Sequence, residues 1–204
     1  MPRRSLGSRL AFAALLLVLT AAPALSHDIP TQENAPSGVK GEMLGWIKDA
    51  EDKLTQLADA TPEAKYAWRP GKDVRSTGEV FMHVAAANFG LPSFWGVAPP
   101  EGFKFDTYEK SLTKKADIQK ALKDSFAHME TAFSAMSDAD LEKPAEFFGT
   151  KTTVRGGYML ILSHVHEHLG QSIAYARMNG IVPPWTAKQQ AAIDAATKAK
   201  AQAK

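Results

Sequence analysis

Four stretches of this chain repeat apolar residues at the helical period, and no stretch alternates with the period of a strand. From about Val39 to Ala60, Leu44, Ile47, Ala50, Leu54 and Leu57 return every three or four positions, with charges on the other face. From about Lys115 to Met136 the stripe is Ile118, Leu122, Phe126, Met129 and Phe133. Between these two, Ser76-Thr77-Gly78-Glu79 has the spacing of a capping box. A helix therefore starts there and runs to Phe89 or Trp95, limited or kinked by Pro92. The fourth rod, capped at Thr152 or Thr153, closes at Asn179-Gly180. It is apolar nearly all round from Tyr158 to Leu162, as a central helix must be. Four such rods predict an all-α fold, a four-helix bundle. The long connections, Gly96 to Thr113 and Ser137 to Thr153, allow a topology other than the simple one.

The ends do not belong to this bundle. Arg3, Arg4 and Arg9, the apolar run Leu10 to Leu19 and small residues at Ala24-Leu25-Ser26 have the layout of a secretory signal covering residues 1–26. The expected protein is exported, periplasmic or secreted, and free of the membrane once that segment is removed. Residues 27–38, with Pro30 and Pro36, read as a loose leader. Residues 39–185 are the bundle. Residues 186–204 are a tail rich in Ala, Lys and Gln, with Ile193 its one large apolar residue. This composition can form a helix but has little to hold it down, so a mobile tail is expected.

The formal charge of +2 falls to −1 when the three arginines of residues 1–26 are set aside. The basic balance is thus a property of the leader and makes no case for nucleic acid. There are no cysteines, so no thiolate serves as nucleophile or ligand, and histidine becomes the main route to a transition metal.

Three of the six histidines lie in the fourth rod. At about 100° per residue, His164 and His168 fall about 40° apart on one face, whereas His166 points away. Two histidines at this i, i+4 spacing give one ion two nitrogens from one helix. The third arm is assigned to His83, the one histidine of the second rod, which has Ala86, Ala87 and Gly90 around it. His128 lies on the flank of its stripe and reads as a surface residue, and Trp68 as cover for the bundle end. Three neutral imidazoles leave a positive centre with an open position, which acidifies water or an incoming thiol. Gln171, on the same stripe, is placed to orient a ligand through its amide, and Tyr175 follows one turn on. Glu167, at the flank, is either a proton acceptor and supporting partner or a solvated surface glutamate. Zinc, nickel, iron and copper all suit three imidazoles, with zinc the default. A ferritin-like di-iron centre needs paired Glu-x-x-His motifs, which the chain does not have.

Tyr66-x-Trp68-Arg69-Pro70, Ser76-x-x-Glu79-x-x-x-His83, and His164-x-x-x-His168-x-Gly170-Gln171 before Asn179-Gly180 together resemble the DinB (damage-inducible, YfiT-like) family over about Val39 to Trp185. Leu169 stands where that family often has Arg. The resemblance implies an up-down-down-up bundle, a divalent metal on His83, His164 and His168, and frequent homodimers. It also implies metal-dependent transferase or isomerase chemistry on small thiols. Taken with the metal chemistry above, the expectation is a divalent-metal-binding protein that acts on a small thiol or another small molecule as a thiol transferase or hydrolase. The alternative is a non-catalytic metal-binding or stress-associated module.

Overall fold

A computed structural model describes residues 38–202. The expected signal and leader, with His27, lie outside the described residues. Seven helices follow one another: α1 (Val39–Ala60), α2 (Thr77–Gly90), α3 (Phe105–Tyr108), α4 (Lys115–Ala135), α5 (Asp138–Leu141), α6 (Val154–Met178) and α7 (Pro184–Gln202). The four long rods α1, α2, α4 and α6 are those marked by the apolar stripes, and the fold is all-α in its core.

Local signals set the ends of the rods. Ser76 accepts from the Glu79 amide and Glu79 accepts from the Ser76 amide, the reciprocal box expected at the start of α2. Thr153 caps α6 by accepting from Gly156. Gly180, at φ 73°, takes the left-handed turn that ends it. After Gly90 the chain tightens into a 3₁₀ turn over Leu91–Trp95, where Pro92 cannot extend an α-helix.

Contacts between rods fix their directions. Lys115 Nζ donates to the carbonyls of Asp59 and Thr61, at the end of α1, and Lys40 Nζ donates to Ser134, at the end of α4, so these two helices are antiparallel. Along α2 and α4 the pairing rises together, with Gly78 beside Ile118 and Asn88 donating to Ser125, so they are parallel. Along α2 and α6 it falls: Trp95 packs on Tyr158, and Tyr175 donates to the Arg75 carbonyl just before α2. The order is therefore up-down-down-up. The parallel α2–α4 pair requires the long return through α3, because two parallel rods cannot be joined by a tight turn.

The core fills the space between the rods with Ile47, Leu54, Phe81, Met82, Leu122, Phe126, Met129 and Ile161, all at 1% exposure or less. Tyr158 stacks on Phe133 with ring centroids 4.0 Å apart. Gly157 admits the Trp95 ring, since a Cβ there would lie 2.4 Å from it. Tyr66 is buried and donates to the Ala58 carbonyl, so the aromatic loop after α1 is packed down.

The connection from Ser137 to Thr153 is more ordered than the sequence suggests. It holds α5 and a hairpin of β1 (Pro144–Phe147) and β2 (Thr150–Thr153). Its two-residue turn, Phe148-Gly149, has φ of 49° and 77°, the sign that tight hairpins require. Four-residue strands are too short to leave an alternation signal. At the other end, the Ala- and Lys-rich stretch is helical through Gln202, with none of α7 buried, and half-buried Trp185 packs its start against the core. Among the described residues, no helix is long and apolar enough to cross a membrane.

Candidate metal centre

His83 comes from the middle of α2, and His164 and His168 from successive turns of α6. Because these helices cross antiparallel at this level, the three side chains meet. Each offers a nitrogen, and the three nitrogens lie within 4.8 Å of one another. Nε2 of His83 and Nε2 of His164 are 3.1 Å apart, close to the ~3.3 Å that two arms of 2.0–2.1 Å subtend on one tetrahedral ion. The His83 and His168 rings meet edge to face at 4.7 Å, and those of His164 and His168 at 4.4 Å. His168 is buried, and the other two are half-buried.

Two of the rings are held from behind. His83 Nδ1 donates to Oε2 of Glu109 at 2.9 Å, and Arg75 Nε donates to the other carboxylate oxygen at 2.8 Å. His168 Nδ1 donates to Oε1 of Gln171 at 2.8 Å, Gln171 Nε2 donates to the Tyr175 hydroxyl, and that hydroxyl donates to the Arg75 carbonyl. Trp68 packs edge-on against Tyr175. With both Nδ1 protons committed, His83 and His168 turn Nε2 lone pairs towards the common space. The buried Nδ1 of His164 has no hydrogen-bond partner among the described residues.

The protonation states match a set of neutral donors. Burial, together with His168, His83 and Arg75 nearby, pushes His164 down to about 3. Burial also lowers His83, helped by Arg75 and His168 and opposed by Glu109. At neutral pH both imidazoles are uncharged and able to ligate. Three converging imidazole nitrogens with two tautomers fixed are a donor set that fits a divalent ion.

The structure brings His83, His164, His168 and Gln171 together and leaves His166 and Glu167 out. His166 bonds to the Leu162 carbonyl. Glu167 is exposed, is outside the imidazole cluster, and has no hydrogen bond or ion pair among the described residues. This is the arrangement of a solvated surface glutamate, because its position one residue before His168 turns it off the stripe. Glu109 and Arg75 are absent from the residues singled out by spacing. Glu109 follows α3 inside the long connection, where no periodicity points to a partner. A polar cleft of about 620 Å³ lined by Arg69, Arg75, Glu109, Lys110 and Gln171 borders the cluster.

The fold and site define an up-down-down-up helical bundle with three imidazoles, a candidate metal site, shared between its second and last long core rods. Residues 47–172 match the model of the DinB superfamily, more than half of the chain, and the chain belongs to that superfamily. No curated protein matches it. Among solved structures it is similar to a DinB-like protein from Bacillus cereus, with 19% identity and a TM-score of 0.60, covering 69% of this chain and 94% of that one. It is also similar to YfiT from Bacillus subtilis, a probable metal-dependent hydrolase with an unusual four-helix bundle topology (11% identity, TM-score 0.58, 74% and 93% covered). A third is the mycothiol-dependent maleylpyruvate isomerase (13% identity, TM-score 0.53, 64% and 59% covered). At these identities the likeness carries the fold.

Proposed function

We propose that this protein is a metal-dependent enzyme acting on a small molecule, as a hydrolase or a thiol transferase, with His83, His164 and His168 holding a divalent ion. The observation that carries the reading is the convergence of three imidazole nitrogens within 4.8 Å, two of the rings oriented by hydrogen bonds from behind. A divalent ion bound by three histidines keeps an open position and supplies Lewis acidity towards water or a thiol. The chain's own residues do the rest. Glu109 keeps the proton of His83 on Nδ1, and Gln171 does the same for His168. Arg75 holds the Glu109 carboxylate in place. Gln171, at the edge of the polar cleft, is the residue closest in role to a substrate-orienting group. Glu167 takes no part in this scheme.

Elemental analysis of gently purified protein tests the ion: about one divalent ion per chain is expected, lost in His83→Ala and His164→Ala. Metal-loaded protein is then screened for turnover of esters, amides and thiol–electrophile pairs. Metal binding without turnover of any of these selects the non-catalytic reading. An empty site in protein never exposed to chelator overturns both.

A further inference from the structure

A cleft of the described chain lies away from the imidazole cluster and shares no residue with it. It measures about 810 Å³ and opens to solvent between α4 and the connection that leads from α2 to α3. This is within the size range of small-molecule sites. One wall is aromatic. Phe89, Phe103 and Tyr108 pack on one another with centroids 5.0–5.9 Å apart, and His128 joins them, its ring 5.4 Å from that of Phe89. The charged residues of the lining are Glu101 and Asp124, with no Lys or Arg among them. Lys120, outside the lining, pairs with Asp124 and balances its charge, and both lie near Tyr108, whereas Glu101 has no ion-pair partner among the described residues. Nε2 of His128 is buried with no hydrogen-bond partner among the described residues, unmet polar capacity at the wall of the cleft.

Aromatic faces carry negative potential, and the Glu101 carboxylate at the mouth adds to it. An anion is repelled by such a site, whereas an aliphatic ligand forgoes its electrostatics. We infer that the cleft between α4 and the α2–α3 connection is a binding site for a small organic cation, an ammonium carried on an apolar or aromatic body. The apolar body lies along the α4 wall, and the ammonium lies over the ring faces of Phe103 and Tyr108, towards Glu101. This site is independent of the metal centre and of whatever reaction occurs there.

Two probes with one ring and opposite charge test it: benzyltrimethylammonium and benzoate, titrated into the full protein and followed by calorimetry and amide NMR shifts. The cation is expected to saturate, shifting the amides of Ala127, Thr131 and Phe103, and to bind about tenfold tighter than benzoate, roughly the size of one partly desolvated cation–π contact. Phe103→Ala, and separately the surface pair Glu101→Gln with Asp124→Asn, should each weaken it about tenfold. The second variant alters only exposed side chains, so a folding failure of the first leaves the test intact. Chelator should leave the cation's affinity unchanged. Equal binding of benzoate, absence of saturation, or shifts that persist in both variants overturn the assignment.

Discussion

Glu109 accepts a hydrogen bond from His83 Nδ1 at 2.9 Å, from a position 26 residues further along the chain. The same carboxylate takes Arg75 on its other oxygen. This one group thereby fixes the tautomer of the imidazole that α2 contributes to the cluster. A carboxylate behind a ligating histidine raises its basicity and holds its ring. Glu109→Ala should lower metal affinity by about 10–100-fold while leaving the helical content unchanged. Competition with a metallochromic chelator, read beside far-ultraviolet circular dichroism, checks this. Gln171→Ala should act similarly through His168.

Acid should destabilise the metal-free protein through the same cluster. His164 is held at about 3 in the folded chain by burial and its neighbours, below the ordinary histidine value of 6.5. Between those values the unfolded chain binds more protons than the folded one, so stability rises with pH across that window. The contribution is complete above about 6.5 and is lost as pH falls towards 3, and the lowered His83 acts in the same direction. Thermal melts in chelator from pH 7 to pH 4 should show a falling Tm, with a shallower slope in His164→Gln.

Glu51 predicts the opposite slope. Burial, and then Glu130 beside it, raise its carboxyl to about 7. A folded-state value above the unfolded one adds stability at low pH, and this is lost as pH rises through about 7. Glu51→Gln should raise Tm at pH 8 by about 2–4 °C, corresponding to roughly 1 kcal/mol in a chain of this size, and change it little at pH 5. An unchanged difference between the two pH values would remove the carboxyl pair from the account.

The seam between α2 and α6 has no room to spare beside Trp95. A Cβ at residue 157 would lie 2.4 Å from that ring. Gly157→Ala should cost about 1–3 kcal/mol, the usual range for forcing extra volume into a packed contact. Chemical denaturation measures it, and Trp95 emission should change because the ring must move.

Much of this molecule could be read along the chain, because a helix is local. The stripe from Ile118 to Phe133, the Ser76–Glu79 box, the Thr153 cap and the Gly180 stop each depend on residues within a turn or so of one another. For the same reason the shared face of His164, His168 and Gln171 follows from 100° steps. The choice of His83 as the third arm rested on its place on a small-residue face. Its arrival 3.1 Å from His164 depended on α2 and α6 crossing antiparallel at that height. Other features were not legible. Glu109 and Arg75 come from loops, the hairpin is only four residues deep on each side, and the wall of Phe89, Phe103 and Tyr108 draws on a helix, a loop and a second short helix. Sequence alone determined the rods, their ends and the pair of imidazoles on one of them, since spacing within a helix fixes direction. Only the tertiary structure decided what stands behind those imidazoles and where a cavity opens, because those contacts join residues whose separation along the chain carries no geometric rule.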